Sequence, residues 1–164
     1  MLKALSRNKQ CRKKISAGFS LAEVLVTVGI FVIVVTGLIQ LFIYCSALSE
    51  MSGNMSYALT KAEDKLEEIR NHSYDQIVTD YNSGGTPGNI FNLSSLNAVG
   101  VVYINASNTN LLEIETDVSW RNQKDDRVVG EDRDLDGVLD AGEDINGNGK
   151  LDSVAKLITY VAKR

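Results

Sequence analysis

Hydrophobic positions fall along this chain in three rhythms, and each predicts a different element. From Val24 through Ser49 there are 26 consecutive residues without a charge. At about 1.5 Å per residue this outlasts the roughly 20 residues needed to cross a bilayer's hydrocarbon core, so the stretch predicts a membrane-spanning helix. Beyond it Met51, Met55, Ala58, Leu59, Ala62, Leu66 and Ile69 recur at three- and four-residue steps. Lys61, Glu63, Asp64, Lys65, Glu67, Glu68 and Arg70 take the remaining positions. That is an amphipathic helix, expected to carry on from the apolar run to about His72, with its last turns reaching 78. The third rhythm has a period of two. Leu112, Ile114, Thr116, Val118 and Trp120 alternate with Glu113, Glu115, Asp117 and Ser119. This predicts a half-buried antiparallel strand with its apolar face toward the helix. Val99–Ile104 and Val154–Val161 predict further strands, while the Asn-, Ser- and Gly-rich stretch 79–97 and the cluster 105–110 predict connections. The expected fold is α+β: one long N-terminal helix packed on a three- or four-stranded antiparallel sheet.

Charge sharpens the orientation. The first 18 residues hold six of the 17 basic residues (Lys3, Arg7, Lys9, Arg12, Lys13, Lys14) and no acid, leaving eleven basic against 21 acidic residues downstream. A basic segment ahead of an apolar span predicts a cytoplasmic N-terminus and an exported acidic domain. Phosphate neutralisation by so acidic a domain is disfavoured, so no nucleic-acid partner is expected. The two cysteines, Cys11 in the basic leader and Cys45 in the apolar helix, do not suggest a disulfide.

Residues 1–18 have no apolar periodicity and read as a removable leader. An ordinary secretory cleavage site after the apolar run would fall near Tyr44-Cys45-Ser46-Ala47, which lacks a small-x-small pattern. On hydrophobicity alone a plain single-pass anchor stands as the alternative. The junction itself, Gly18-Phe19-Ser20-Leu21-Ala22-Glu23-Val24-Leu25-Val26, resembles the class III leader and mature N-terminus of type IV pilins and type II secretion pseudopilins. The helix end, Ala62 to Arg70 followed by Tyr74-Asp-Gln-Ile77, is similar to minor pilins and pseudopilins of the V and I kinds. The resemblance implies cleavage after Gly18 by a prepilin peptidase, N-methylation of Phe19, and a filament-core role for the helix 19–48. It also implies an inner-membrane location before assembly and partnership with other pilin or pseudopilin subunits. A helix-breaking proline found in many pilins falls where this chain has Gln40.

Glu23 fits the same picture on physical grounds. An unpaired carboxylate at membrane depth costs several kcal/mol, so such residues are functional candidates. Cleavage after Gly18 would create an amine four residues away on the same helix, or on a neighbouring subunit. The competing reading is that Glu23 snorkels to the interface from the first helical turn.

The second informative stretch lies in the acidic excursion 125–153. Asp132-x-Asp134-x-Asp136-Gly137-Val138-x-Asp140-x-x-Glu143 matches the twelve-residue calcium loop of EF-hands at positions 1, 3, 5, 6, 9 and 12. Ca²⁺ takes six to eight oxygens, with a glycine at the sharp turn and a bidentate Glu closing the shell. Asp132, Asp134, Asp136, Asp140 and Glu143 would offer side-chain oxygens and Val138 its carbonyl. A second loop follows at once, with Asp144, Asn146, Asn148, Lys150 and Asp152 at positions 1, 3, 5, 7 and 9 and Gly149 at 6. Its twelfth position is Ala155, so this site is expected to be weaker or to borrow a ligand from elsewhere. The flanks are strands, which makes it a calcium loop grafted into a hairpin. The competing reading is a solvated acidic turn, since Asp, Asn and Gly favour turns without any metal.

No Ser/His/Asp set, Cys/His pair or phosphate loop is present, so no enzymatic activity is expected. The lone His72 reads as a surface or capping residue at the helix end. The expected function is that of a structural minor subunit of a type IV pilus or secretion pseudopilus, with a Ca²⁺-stabilised C-terminal loop. Two alternatives stand beside it: a tip adhesin or Ca²⁺-dependent surface-binding module, and a non-assembling single-pass membrane-anchored calcium-binding protein.

Overall fold

The computed structural model describes residues 18–124 and 126–163. The basic leader, with Cys11, lies outside the described residues. The chain divides into two compact units, one ending at Ile43 and the other running from Tyr44 onward. In the first, helix α1 (Leu21–Arg70) begins after Ser20, whose carbonyl accepts from the amides of Glu23 and Val24 at 3.0 and 3.2 Å. Thr36 returns its hydroxyl to the carbonyl of Val32 at 2.9 Å. Such back-bonding satisfies a polar side chain within its own helix, which suits an apolar surrounding. The helix is long and apolar enough to cross a membrane, and none of its most apolar window is buried.

The second unit is built around the amphipathic half of α1. Ala58, Ala62, Leu66 and Ile69 are its buried stripe, at the three- and four-residue spacing that puts them on one face. The expected continuation to His72 and 78 is interrupted. The amides of Asn71 and His72 turn back to the carbonyls of Glu68 and Ile69, and a separate short helix α2 (Tyr74–Asp80) follows. Ser73 starts it, with Gln76 Oε1 accepting from both its amide and its hydroxyl, at 3.1 and 2.7 Å. His72 does cap the helix end, its Nδ1 lying 3.0 Å from the carbonyl of Glu68.

The sheet is antiparallel. Strand β1 (Ile90–Leu93) pairs with β2 (Ala98–Asn108), which pairs with β3 (Leu111–Arg121). The free edge of β3 is shared. Its end at Trp120–Arg121 takes the two-residue β4 (Val128–Val129), and Leu111–Val118 takes β5 (Ala155–Ala162). Two expected connections turn out to be strand. β1 lies inside the stretch read as loop, and β2 runs on to Asn108 through an irregularity between Asn105 and Asn108.

Trp120, fully buried among Ala58, Ala62, Leu96, Ala98 and Val118, anchors the face of the sheet against α1. The two alanines, one turn apart, let the indole approach the helix closely. Trp120→Ala should therefore lower unfolding free energy by about 3–5 kcal/mol, measured by urea denaturation of the protein in detergent.

Candidate metal centre

The opposite face of the sheet is covered as well, which corrects the expectation of a half-buried β3. Glu115, Asp117 and Ser119 are all buried. The reason lies in the excursion after β4. It folds back on the sheet through Leu135 and Leu151, which pack with Val99, Val101, Ile90 and Tyr103. The amide of Leu151 donates to Tyr103 Oη at 2.7 Å, closing the lid over the polar rows of β3.

Within that excursion the first loop is tightly organised. Asp132, 1 % exposed, accepts from the amides of Leu135 and Gly137 at 2.7 and 2.9 Å. Asp136 Oδ1 accepts from the amide of Val138 at 2.7 Å. Glu143, also buried, accepts from the amides of Arg133 and Asp140 at 2.8 and 3.1 Å. Gly137 has φ +78°, and a Cβ there would stand 2.7 Å from Ile90 Cγ2, so both the turn and the close approach require glycine. Leu135 holds φ +63°, a strained choice for a branched residue, and its burial against the sheet offsets the cost.

These bonds bring Asp132, Asp134 and Asp136 together, each offering an oxygen within 4.8 Å of the others. Asp140 and Glu143 are not in that group. They are linked to each other instead, and Asp140 is exposed. Burial raises the Asp132 carboxyl, the Gly137 and Leu135 amides pull it down, and the Glu143 and Asp134 charges push it up. Three carboxylates so close repel one another unless a cation sits among them. The residues present can hold a metal ion.

The second loop repeats the first position by position. Asp144 accepts from the amides of Gly147, Asn148 and Gly149 at 2.6, 3.0 and 2.8 Å, as Asp132 does from Leu135 and Gly137. Asn148 Oδ1 accepts from the amide of Lys150 at 2.8 Å, the counterpart of Asp136 and Val138. Gly147 and Gly149 have φ +76° and +77°, matching Leu135 and Gly137. The side-chain amides of Asn146 and Asn148 donate to Asp152 Oδ2 at 2.7 and 2.6 Å, gathering positions 3, 5 and 9.

Sequence reasoning missed one residue here. Glu131, 9 % exposed, accepts from the amides of Ile145 and Asp152 at 3.2 and 3.0 Å, positions 2 and 9 of the second loop. Those are the positions that Glu143 binds in the first loop. Glu131 also donates its amide to the carbonyl of Asp152 at 2.9 Å, as Glu143 does to Asp140 at 3.2 Å. Glu131 thus takes in the second loop the hydrogen-bonding place that Glu143 takes in the first. Its signal was in the sequence as a twelve-residue repeat, Gly130-Glu131-Asp132 against Gly142-Glu143-Asp144.

Lys150 and Lys156 both pair with Glu115, and Lys156 also reaches Asp152 and, at 3.7 Å, Asp117. Burial works against it, but the two ammonium groups hold the Glu115 carboxyl below its usual range. Asp117 goes the other way: burial pushes it up to about 7, despite Lys156 and the amide of Ser153. In the unfolded chain the group titrates near 4, so between about 4 and about 7 the folded state binds more protons. Asp117 therefore subtracts stability as pH rises through that window. Melting in chelator should fall between pH 5 and pH 8, and Asp117→Asn should shrink the fall.

The residues at the other end are simply placed. Gly18 and Phe19 precede α1 and are exposed, and Glu23 lies exposed in its first turn. No protein-family model, curated protein or solved structure matches the chain.

Proposed function

We propose that this protein is a minor subunit of a type IV pilus or a type II secretion pseudopilus, whose exported domain is locked by Ca²⁺. The observation that carries the reading is one continuous helix with two different surfaces behind a Gly18-Phe19 junction. Its first half is apolar and solvent-exposed on every side; its second half buries a stripe of small and aliphatic residues against a sheet. A helix of that kind has one half for lipid or for sister helices and one half for its own domain.

Calcium fits the donor set better than a transition metal. The candidate ligands are carboxylates, amide oxygens and a backbone carbonyl, with no thiol or imidazole among them. Asp132, Asp134, Asp136, Val138, Asp140 and Glu143 would hold the first ion. Asp144, Asn146, Asn148, Lys150 through its carbonyl, and Asp152 would hold the second, with Glu131 closing it. The ions would fix the excursion that separates β4 from β5, and so the strand that completes the sheet. The test of the assembly reading is co-expression with a prepilin peptidase. The expected mature chain begins at Phe19, and a chain that keeps its leader and never enters filaments refutes the reading.

A further inference from the structure

We infer that the two loops bind two divalent cations as one reciprocal, positively cooperative unit, each closed by the carboxylate that directly precedes the other's first ligand. The inference rests on the calcium reading above and adds the coupling. Glu143, which closes the first loop, is joined by one peptide bond to Asp144, which opens the second. Glu131, which bonds positions 2 and 9 of the second loop, is joined by one peptide bond to Asp132, which opens the first. The ligand order is therefore a ring and not a line. In a linear array of such repeats the first glutamate would have no loop to close. Here the excursion doubles back and brings it to the last one.

The physical consequence is shared ordering. A cation drawn to Asp132, Asp134 and Asp136 fixes Asp132, and with it the neighbouring Glu131 that the second site needs. An ion in the second loop fixes Asp144, and with it Glu143. Whichever site fills first has already met part of the ordering cost of the other, which is a coupling free energy and must be mutual. A buried carboxylate also stands beside the second loop, in a group to which Lys150 and Lys156 already bring positive charge. Asp117, 2 % exposed, has an Oδ2 with no hydrogen-bond partner. It groups with Glu115 and with Asp152, the ninth position of that loop, with ligand oxygens within 4.8 Å of one another. Lys156 reaches Asp117 only at 3.7 Å and through its other oxygen, so the Oδ2 beside this ligand position is left without a donor.

The experiment is a Ca²⁺ titration of the full chain in detergent by equilibrium dialysis, with Glu131→Gln and Glu143→Gln in parallel. Two ions per chain with a Hill coefficient above unity are expected. Glu131→Gln should weaken the second ion by about tenfold or more and also weaken the first, although Glu131 contacts only the second loop. Glu143→Gln should do the reverse. Two ions bound independently, or one ion only, would overturn the coupling and leave calcium binding standing. No ion bound would overturn both. Circular dichroism in chelator checks that each variant is folded, and if one is not, the wild-type isotherm decides alone.

Discussion

Calcium should raise the melting midpoint of this protein by roughly 10 °C for each site filled, about 20 °C with both, and a chelator should reverse the rise. The size follows from mass action. Extracellular calcium modules bind with Kd near 10⁻⁴–10⁻³ M, so an excess of about a hundredfold over Kd stabilises the folded state by about 2.7 kcal/mol per site. For a domain of this size that is about 4 °C per kcal/mol. The gain is channelled to one place. Leu135 and Leu151 pin the loops onto the sheet, and Ser153 and Ala155 then lead directly into β5 along the edge of β3. Without an ion, repulsion among the carboxylates of Asp132, Asp134 and Asp136 loosens the lid, and β5 loses the constraint that holds its start.

Asp134 separates binding from folding. It is exposed, supplies a ligand oxygen to the triad, and takes none of the hydrogen bonds that shape the loop. Asp134→Asn should raise the melting midpoint in chelator slightly, by relieving the repulsion within the triad, and shrink the calcium-induced rise. Asp132→Asn would be a poor substitute, since Asp132 also holds the amides of Leu135 and Gly137. Identical melting of the wild type in Ca²⁺ and in chelator would dismiss the calcium reading.

Periodicity made the helix, the central strand and the first loop legible, because each is encoded by residues close in sequence. The apolar stripe of α1 and the alternation of β3 both lie where their rhythms place them. What stayed hidden depends on contacts between distant segments. β1 is four residues in a polar neighbourhood, and only its pairing with Val99, Gly100 and Val101 of β2 makes it strand. Glu115 and Asp117 look like a solvent-facing row, and their burial follows from Leu135 and Leu151 arriving from an excursion whose path no local signal dictates. The break after Arg70 was readable in part, as a serine three residues ahead of a glutamine, but the helical rhythm runs on across it. Glu131 is the instructive case. Its partners lie fourteen and twenty-one residues away, and only the internal repeat hinted at its role.

Replacing Gly18 should abolish maturation outright, the largest effect expected anywhere in the chain. The position suits a clean experiment. Gly18 precedes α1, and a Cβ built there meets nothing within 4 Å. Gly18→Val therefore leaves the folded protein alone and changes only what a peptidase would accept at the scissile bond. With a prepilin peptidase present, the wild type should lose residues 1–18 and acquire a mature N-terminus at Phe19, read by intact mass. The variant should keep its full mass and stay in the membrane. Glu23→Val then isolates the following step. Its chain should be cleaved as the wild type is, because the junction is intact, but should enter filaments poorly. The amine that cleavage would create at Phe19 would stand four residues from Glu23, and opposite charges 4 Å apart attract by about 4 kcal/mol at an effective dielectric constant of 20. On the assembly proposal, that attraction between neighbouring subunits would fix the axial register of each incoming helix. Valine removes the carboxylate's desolvation cost and the register signal together, so membrane insertion should improve while assembly fails. Should Glu23→Val chains assemble at the wild-type rate, the carboxylate is a snorkelling residue of the first turn and the pairing does not exist.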